Sequence, residues 1–309
     1  MSGRWLWLCL GLLAAQAAFA QEELVSRFGV GVGYRADKLD WNIAGDLSGA
    51  NPNVLSELTW SGLGAYMLEL DARFLAYDRF YFRGRYGTGA IVRGRNQDSD
   101  YLGDDRSQEF SRTNNDADAG RISEYSLAAG YQLSPNGGRT KIIPQVGYAQ
   151  LDQDLRMRNG FQTLDPLGLF GGVGPFSGLD SKYDAEWKGP FVGVELEHQA
   201  DPRLVLYGSA QYHRVDYRGT GDFNLRQDLA HPVSFLHEAD ASGVRLSLGG
   251  RYALTERLRL NGRFDYQRWR ADPGLDRTFF ADGSTASTRL NEVNSDSRGL
   301  FLGVEYQTP

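Results

Sequence analysis

Residues 258–266 read LRLNGRFDY, and at a period of two they fall into two sets. Leu258, Leu260, Phe264 and Tyr266 lie on one side, and Arg259, Asn261, Arg263 and Asp265 on the other. Successive side chains of a β-strand point to opposite faces, so this stretch is a strand with one apolar and one charged face. The same split recurs along the chain. Phe28, Val30, Val32 and Tyr34 alternate with glycines, and Tyr66, Leu68, Leu70, Ala72 and Phe74 face away from Glu69, Asp71 and Arg73. Phe80, Phe82 and Tyr86 oppose Arg83 and Arg85, and Tyr125, Leu127, Ala129 and Tyr131 oppose Glu124. Val192, Val194 and Leu196 oppose Glu195 and Glu197, and Val244, Leu246 and Leu248 oppose Arg245 and Arg251. Leu300, Leu302, Val304 and Tyr306 oppose Phe301 and Glu305.

One strand alone does not separate a soluble sandwich from a barrel. The connections do. Tight turns at Tyr77-Asp78, Pro135-Asn136-Gly137-Gly138, Asp201-Pro202 and Thr255-Glu256 alternate with long polar segments near 94–118, 159–182, 218–240 and 281–293. Short turns at one end and long loops at the other mark an outer-membrane barrel, with the turns in the periplasm and the loops outside. Strands are expected at 24–44, 54–76, 79–94, 119–133, 140–158, 183–199, 203–217, 241–254, 257–280 and 294–307. The expected fold is therefore all-β, a ten-stranded antiparallel transmembrane barrel with an even strand number. Charges of both signs on the inward faces predict a lumen plugged by ion pairs, which leaves a narrow pore as a minor reading.

Composition and the first residues agree. Arg4, the apolar run 5–15 and Ala18-Phe19-Ala20 before Gln21 have the layout of a secretory signal, so residues 1–20 are read as a signal peptide and 21–309 as one barrel domain. The single cysteine, Cys9, sits in that segment without a small residue before it, which argues against a lipid anchor. No later stretch approaches the 18 apolar residues of a membrane helix. The net charge of −6 argues against nucleic acid as a partner. The expected setting is the outer membrane of a Gram-negative cell, as a monomer in contact with lipid and lipopolysaccharide.

Three further stretches carry the candidate chemistry. Leu55-Ser56-Glu57-Leu58-Thr59-Trp60 opens the second strand, Arg93-Gly94 and Asp98-Ser99-Asp100-Tyr101 follow the third, and Asp222-Phe223-Asn224 ends the seventh. In these stretches, and in strand order, the chain resembles the omptins, ten-stranded outer-membrane proteases, and the adhesins that share their barrel. The resemblance implies that the Asp98/Asp100 pair holds a water opposite an Asp-His pair that takes its proton. Asp98, Asp100 and Asp222 match, but Asn224 stands where an omptin has histidine, and an amide cannot accept that proton.

Other residues offer a base. His213, eleven positions before Asn224 on the same strand, is too far away and reads as a wall residue. His231 and His237 are expected in one external loop that can fold back over the mouth, or simply be solvated. A mechanism using aspartates alone is also open, because paired carboxylates share a proton. Asp98, Asp100 and Glu109 further match the EF-hand spacing at positions 1, 3 and 12, a weak calcium possibility, with Leu102 standing where an oxygen donor belongs. Residues 167–179, LGLFGGVGPFSGL, form an apolar glycine-rich loop that either closes over the lumen or meets lipopolysaccharide, a host surface or a neighbouring one.

The preferred expectation is a non-proteolytic, adhesin-like barrel that binds an extracellular protein or peptide through its loops and needs no cofactor. A surface endopeptidase with an altered base is the alternative.

Overall fold

The computed structural model describes residues 24–308. The expected signal peptide, its cleavage site and Cys9 lie outside the described residues. Thirteen strands follow one another: β1 (Leu24–Ile43), β2 (Ser56–Ala76), β3 (Phe80–Gly103), β4 (Ser107–Asp116), β5 (Gly120–Tyr131), β6 (Thr140–Leu164) and β7 (Gly174–Pro175). After these come β8 (Asp180–Gln199), β9 (Leu204–Asp222), β10 (Phe235–Ala253), β11 (Leu258–Ala271), β12 (Gly274–Phe279) and β13 (Thr285–Gln307). Every pairing is antiparallel, and β13 pairs with β1 from Phe28↔Tyr306 to Trp41↔Val293, so the sheet closes on itself. Two ring positions are each built from two strands. Both β4 and β5 pair with β3 and β6, and both β11 and β12 pair with β10 and β13, so the ring has ten positions.

The alternation resolves into an outside and an inside. The outward apolar set is exposed: Leu300 is 67% accessible, Leu302 66%, Leu127 66% and Tyr66 65%. A contiguous apolar belt of this extent has no place in water. At about 3.3 Å per residue the outward set from Leu300 to Tyr306 spans about 20 Å, close to the apolar band of a barrel in a bilayer.

The inward charges interlock. Glu124 accepts from Arg35 Nη1 at 3.0 Å, Arg245 Nη2 at 3.0 Å and Gln267 Nε2 at 3.0 Å. Arg85 bridges Glu69 at 2.6 Å and Asp265 at 2.7 Å, while Asp265 also receives Arg263 Nε at 2.8 Å. Lower down, Glu195 accepts from Arg73 and Arg83, each at 3.0 Å, and Asp71 takes both of the same arginines at 2.7 Å. Charges taken out of water are costly unless paired, and here each arginine of the mid-lumen meets at least one carboxylate.

The expected strands are found, but of the segments read as long polar loops 94–118 and 281–293 are largely strand, and strands enter 159–182 and 218–240 from both ends. β3 and β4 run on as a hairpin whose tip is only 104–106, and β6, β8, β9, β10 and β13 likewise extend past the apolar band. The reason is physical. Above the membrane the outer face meets water, so the apolar half of the alternation disappears while backbone pairing continues. A bulge between Ser61 and Gly64 on β2 marks the transition. Gly62 there has φ 60°, a left-handed conformation that a side chain would strain.

Candidate functional site

The extensions carry a wall around the mouth of the barrel, and its floor is aromatic. Trp60 of β2 stacks on Tyr183 of β8 with centroids 5.2 Å apart, and Trp41, Phe235 and His237 complete the cluster. The Tyr183 hydroxyl bonds both Tyr217 and His237 Nδ1, the latter at 2.9 Å, and the Asp276 carboxylate lies 3.2 Å from His237 Nε2. This floor separates the mouth from the charged mid-lumen.

On one side of the mouth, Asp98 lies opposite Leu58 and Asp100 opposite Ser56 in the β2–β3 register. Leu58 is fully buried, so both carboxyls share the inward face, two residues apart. Burial and then the neighbouring Asp100 push the Asp98 carboxyl well above the usual carboxylate range. Burial also raises Asp100, with Ser56, Arg226 and Ser111 drawing it back. Two half-buried carboxyls side by side disfavour each other's ionised form, and the pair forms a polar cradle that water can occupy.

On the other side, β9 ends at Asp222, and its Oδ1 lies 2.6 Å from His231 Nδ1. His231 comes from the loop 223–234, which is pinned at both ends. The Phe223 amide donates to Ser234 Oγ at 3.0 Å, that hydroxyl donates to the Ala230 carbonyl at 3.1 Å, and the Phe223 ring packs on Phe235. Within the loop, Arg226 is held by Asp228 through two bonds of 2.8 and 2.7 Å. The charge of Arg226 is felt by both Asp98 and Asp100, so this loop reaches over to the aspartate pair. The contact through Nδ1 leaves Nε2 as the ring atom that can turn toward the mouth.

Asn224 does not occupy that position. Its Oδ1 accepts from the Asp180 amide at 2.9 Å and Ser181 Oγ at 3.0 Å, and its Nδ2 donates to the Gly178 carbonyl at 2.7 Å. It ties β9 to the neighbouring loop. His213 is a wall residue wedged between Phe191 and Trp269, each 4.9 Å away by ring centroid. The expectation for His237 needs correction, because it sits on β10 inside the barrel, where tertiary packing against Trp41 and Tyr183 claims it. Among the described residues no three acidic or histidine side chains converge as metal ligands. Asp98, Asp100 and Glu109 are strung along a hairpin instead, with Glu109 bonded to Arg112 at 2.7 Å. The apolar loop stands outward: Leu167, Leu169, Phe170 and Val173 are exposed, and Asp165 fixes the loop by accepting the amides of Leu169, Phe170 and Gly172. The sequence singles out His231 only as one of two loop histidines, and nothing in it points to Arg226.

Closed ring, lipid-facing belt and extended mouth together define an omptin-like β-barrel of the bacterial outer membrane. Residues 29–308 match the family described as Pom, Protochlamydia outer membrane protein, and the chain belongs to that family. A comparison with curated sequences finds no match. Among solved structures, the outer membrane protease OmpT of Escherichia coli superposes with a TM-score of 0.75 at 12% identity, covering 94% of this chain and 98% of its own. That likeness shows the fold. The translocator domain of the autotransporter NalP of Neisseria meningitidis aligns at TM-score 0.38 and 14% identity, over 97% of this chain and 94% of its own. Ail, the attachment invasion locus protein of Yersinia pestis, aligns at 0.28 and 9%, over 93% of this chain and 99% of its own. Scores this low carry no argument.

Proposed function

We propose that the chain is an omptin-like surface endopeptidase in which His231, carried by a loop, replaces the strand histidine missing at position 224. The observation that carries this reading is the 2.6 Å contact between His231 Nδ1 and Asp222 Oδ1, at the rim that also holds Asp98 and Asp100. A water held by the Asp98/Asp100 cradle loses its proton to His231 Nε2 as it attacks a peptide carbonyl. Asp222 orients the ring and stabilises the imidazolium that forms, and the proton passes on to the leaving amine. The acidic rim favours peptides with basic residues beside the scissile bond.

The test is a panel of fluorogenic peptides with basic residues at the cleavage site, offered to the folded barrel with lipopolysaccharide present. Turnover that disappears in both Asp98→Ala and His231→Ala supports the assignment. Turnover that survives His231→Ala refutes the loop base.

A second reading rests on the apolar loop. Four large apolar side chains held outward on an anchored loop suit an adhesin-like contact with an extracellular protein, without proteolysis. Binding of the inactive Asp98→Ala barrel to cells, lost on replacing Leu169 and Phe170 by serine, would favour it. Arg214, Arg218, Arg268 and Arg270 line the outer wall above the lipid belt and suit lipopolysaccharide phosphates as a partner surface. A narrow pore finds less support, because interlocked ion pairs fill the mid-lumen.

A further inference from the structure

The periplasmic end of the lumen opens into a cavity of about 260 Å³ that the endopeptidase reading does not use. Its wall is unusual in sign. Six cationic side chains line it, Arg27, Arg139, Lys141, Arg203, Arg251 and Arg259, against the two carboxylates of Asp78 and Glu197. Glu197 is already shared, since it pairs with Arg27 at 3.6 Å, Arg73 at 3.5 Å and Arg251. Among the described residues, Arg139, Lys141 and Arg203 have no carboxylate within ion-pair distance.

The second observation is Arg251 itself. It is 1% exposed, its guanidinium lies over the Tyr207 ring at 4.6 Å, and its Nε and Nη1 have no hydrogen-bond partner. The Glu305 carboxylate is 3.9 Å from Nη1, and its own Oε2 is also without a partner. Donors of a buried guanidinium left without an acceptor are costly, and Arg251 is one of the residues that line this cavity. The mid-lumen a few residues above differs in its balance: there Arg73 and Arg83 share two carboxylates, Asp71 and Glu195, whereas here six cations meet two.

We infer that this vestibule is a binding site for a small periplasmic anion bearing two or more phosphate groups. The cations come from β1, β6, β10, β11 and the turns before β6 and β9, so they surround the cavity. A tetrahedral dianion accepts donors from many directions, whereas a planar carboxylate is best served by a fork in its own plane. The volume holds more than one such group, and the open side faces the periplasm.

Pyrophosphate is the probe, titrated by calorimetry into the folded barrel in zwitterionic micelles at low salt, with citrate as the carboxylate comparator. Saturable binding, weakened about tenfold or more in the Lys141→Ala/Arg203→Ala double variant, supports the site. Both replaced residues lie at the rim, and heat-modifiable migration on gels verifies that the variant is folded. No heat at millimolar pyrophosphate, or binding equal in the double variant, overturns the site. Citrate binding as tight as pyrophosphate overturns the assignment to phosphate. Arg226→Ala, at the opposite mouth, leaves binding unchanged if the vestibule is the site; a loss there equal to that of the double variant refutes the location.

Discussion

Mid-lumen and mouth are built from the same strands and face the same interior, yet they treat charge in opposite ways. In the mid-lumen Glu124, Asp265, Glu195 and their arginines answer one another, which makes a plug of paired charges. At the mouth Asp98 and Asp100 stand half-buried side by side with no arginine bound to either, and His231 leans on Asp222. Burying uncompensated acid costs stability, so the fold tolerates at the mouth what it neutralises below. Unbalanced charge beside a balanced mid-lumen is where a function is to be sought.

The contrast breaks most visibly in activity. Asp98→Asn and His231→Ala are each expected to lower kcat/KM toward basic fluorogenic peptides by about 10²–10⁴, the usual weight of a missing proton acceptor or water ligand. Equal losses in the two single variants and in the double variant would show that they serve one step; additive losses would not. In the plug the order of effects reverses. Glu124→Ala removes one of the two carboxylates that meet each of Arg35 and Arg245, which keep Asp37 and Asp265, and is expected to cost about 1–3 kcal/mol in urea unfolding from lipid vesicles, with the folded fraction keeping kcat within about twofold. A cost below about 1 kcal/mol would mean that the plug does not hold the barrel together.

A smaller effect sharpens the sign. Because Asp98 holds its proton more tightly when folded, its raised pKa costs nothing below the ordinary value of 3.8, where folded and unfolded chains are both protonated. As pH climbs above that value the unfolded chain releases its proton first, and stability falls until the raised folded value is passed. Asp98→Asn is therefore expected to gain about 1 kcal/mol over the wild type at pH 7 and nothing at pH 3. Equal stabilities at both pH values would remove the argument that the site is strained by its charge. Least of all, Asn224→Ala should leave turnover within about twofold and cost about 1 kcal/mol through its lost loop bonds. A hundredfold loss of turnover there would return the chemistry to the strand.

The alternation of residues such as Leu258 to Tyr266 determined the barrel without help from the structure. A period of two is a local property of the strand, and ten such stretches joined by short turns leave few ways to close. The charged lumen, and the pairing of Asp98 with Asp100 on one face, followed from the same rule. The extents of β3, β4 and β9 did not, because above the membrane both faces meet water and the alternation falls silent. Nor did the partner of Asp222. Position 224 follows two residues after Asp222, just past the end of the strand, and there Asn224 turns to Ser181 and Gly178 instead. His231 reaches Asp222 by the path of a loop, and Arg226 nears the aspartates by the same path. Loop paths are set by anchors such as Ser234 and by packing on Phe235, contacts between residues distant from any repeat. Periodicity fixes which way a strand residue points; only the folded mouth decides what it meets.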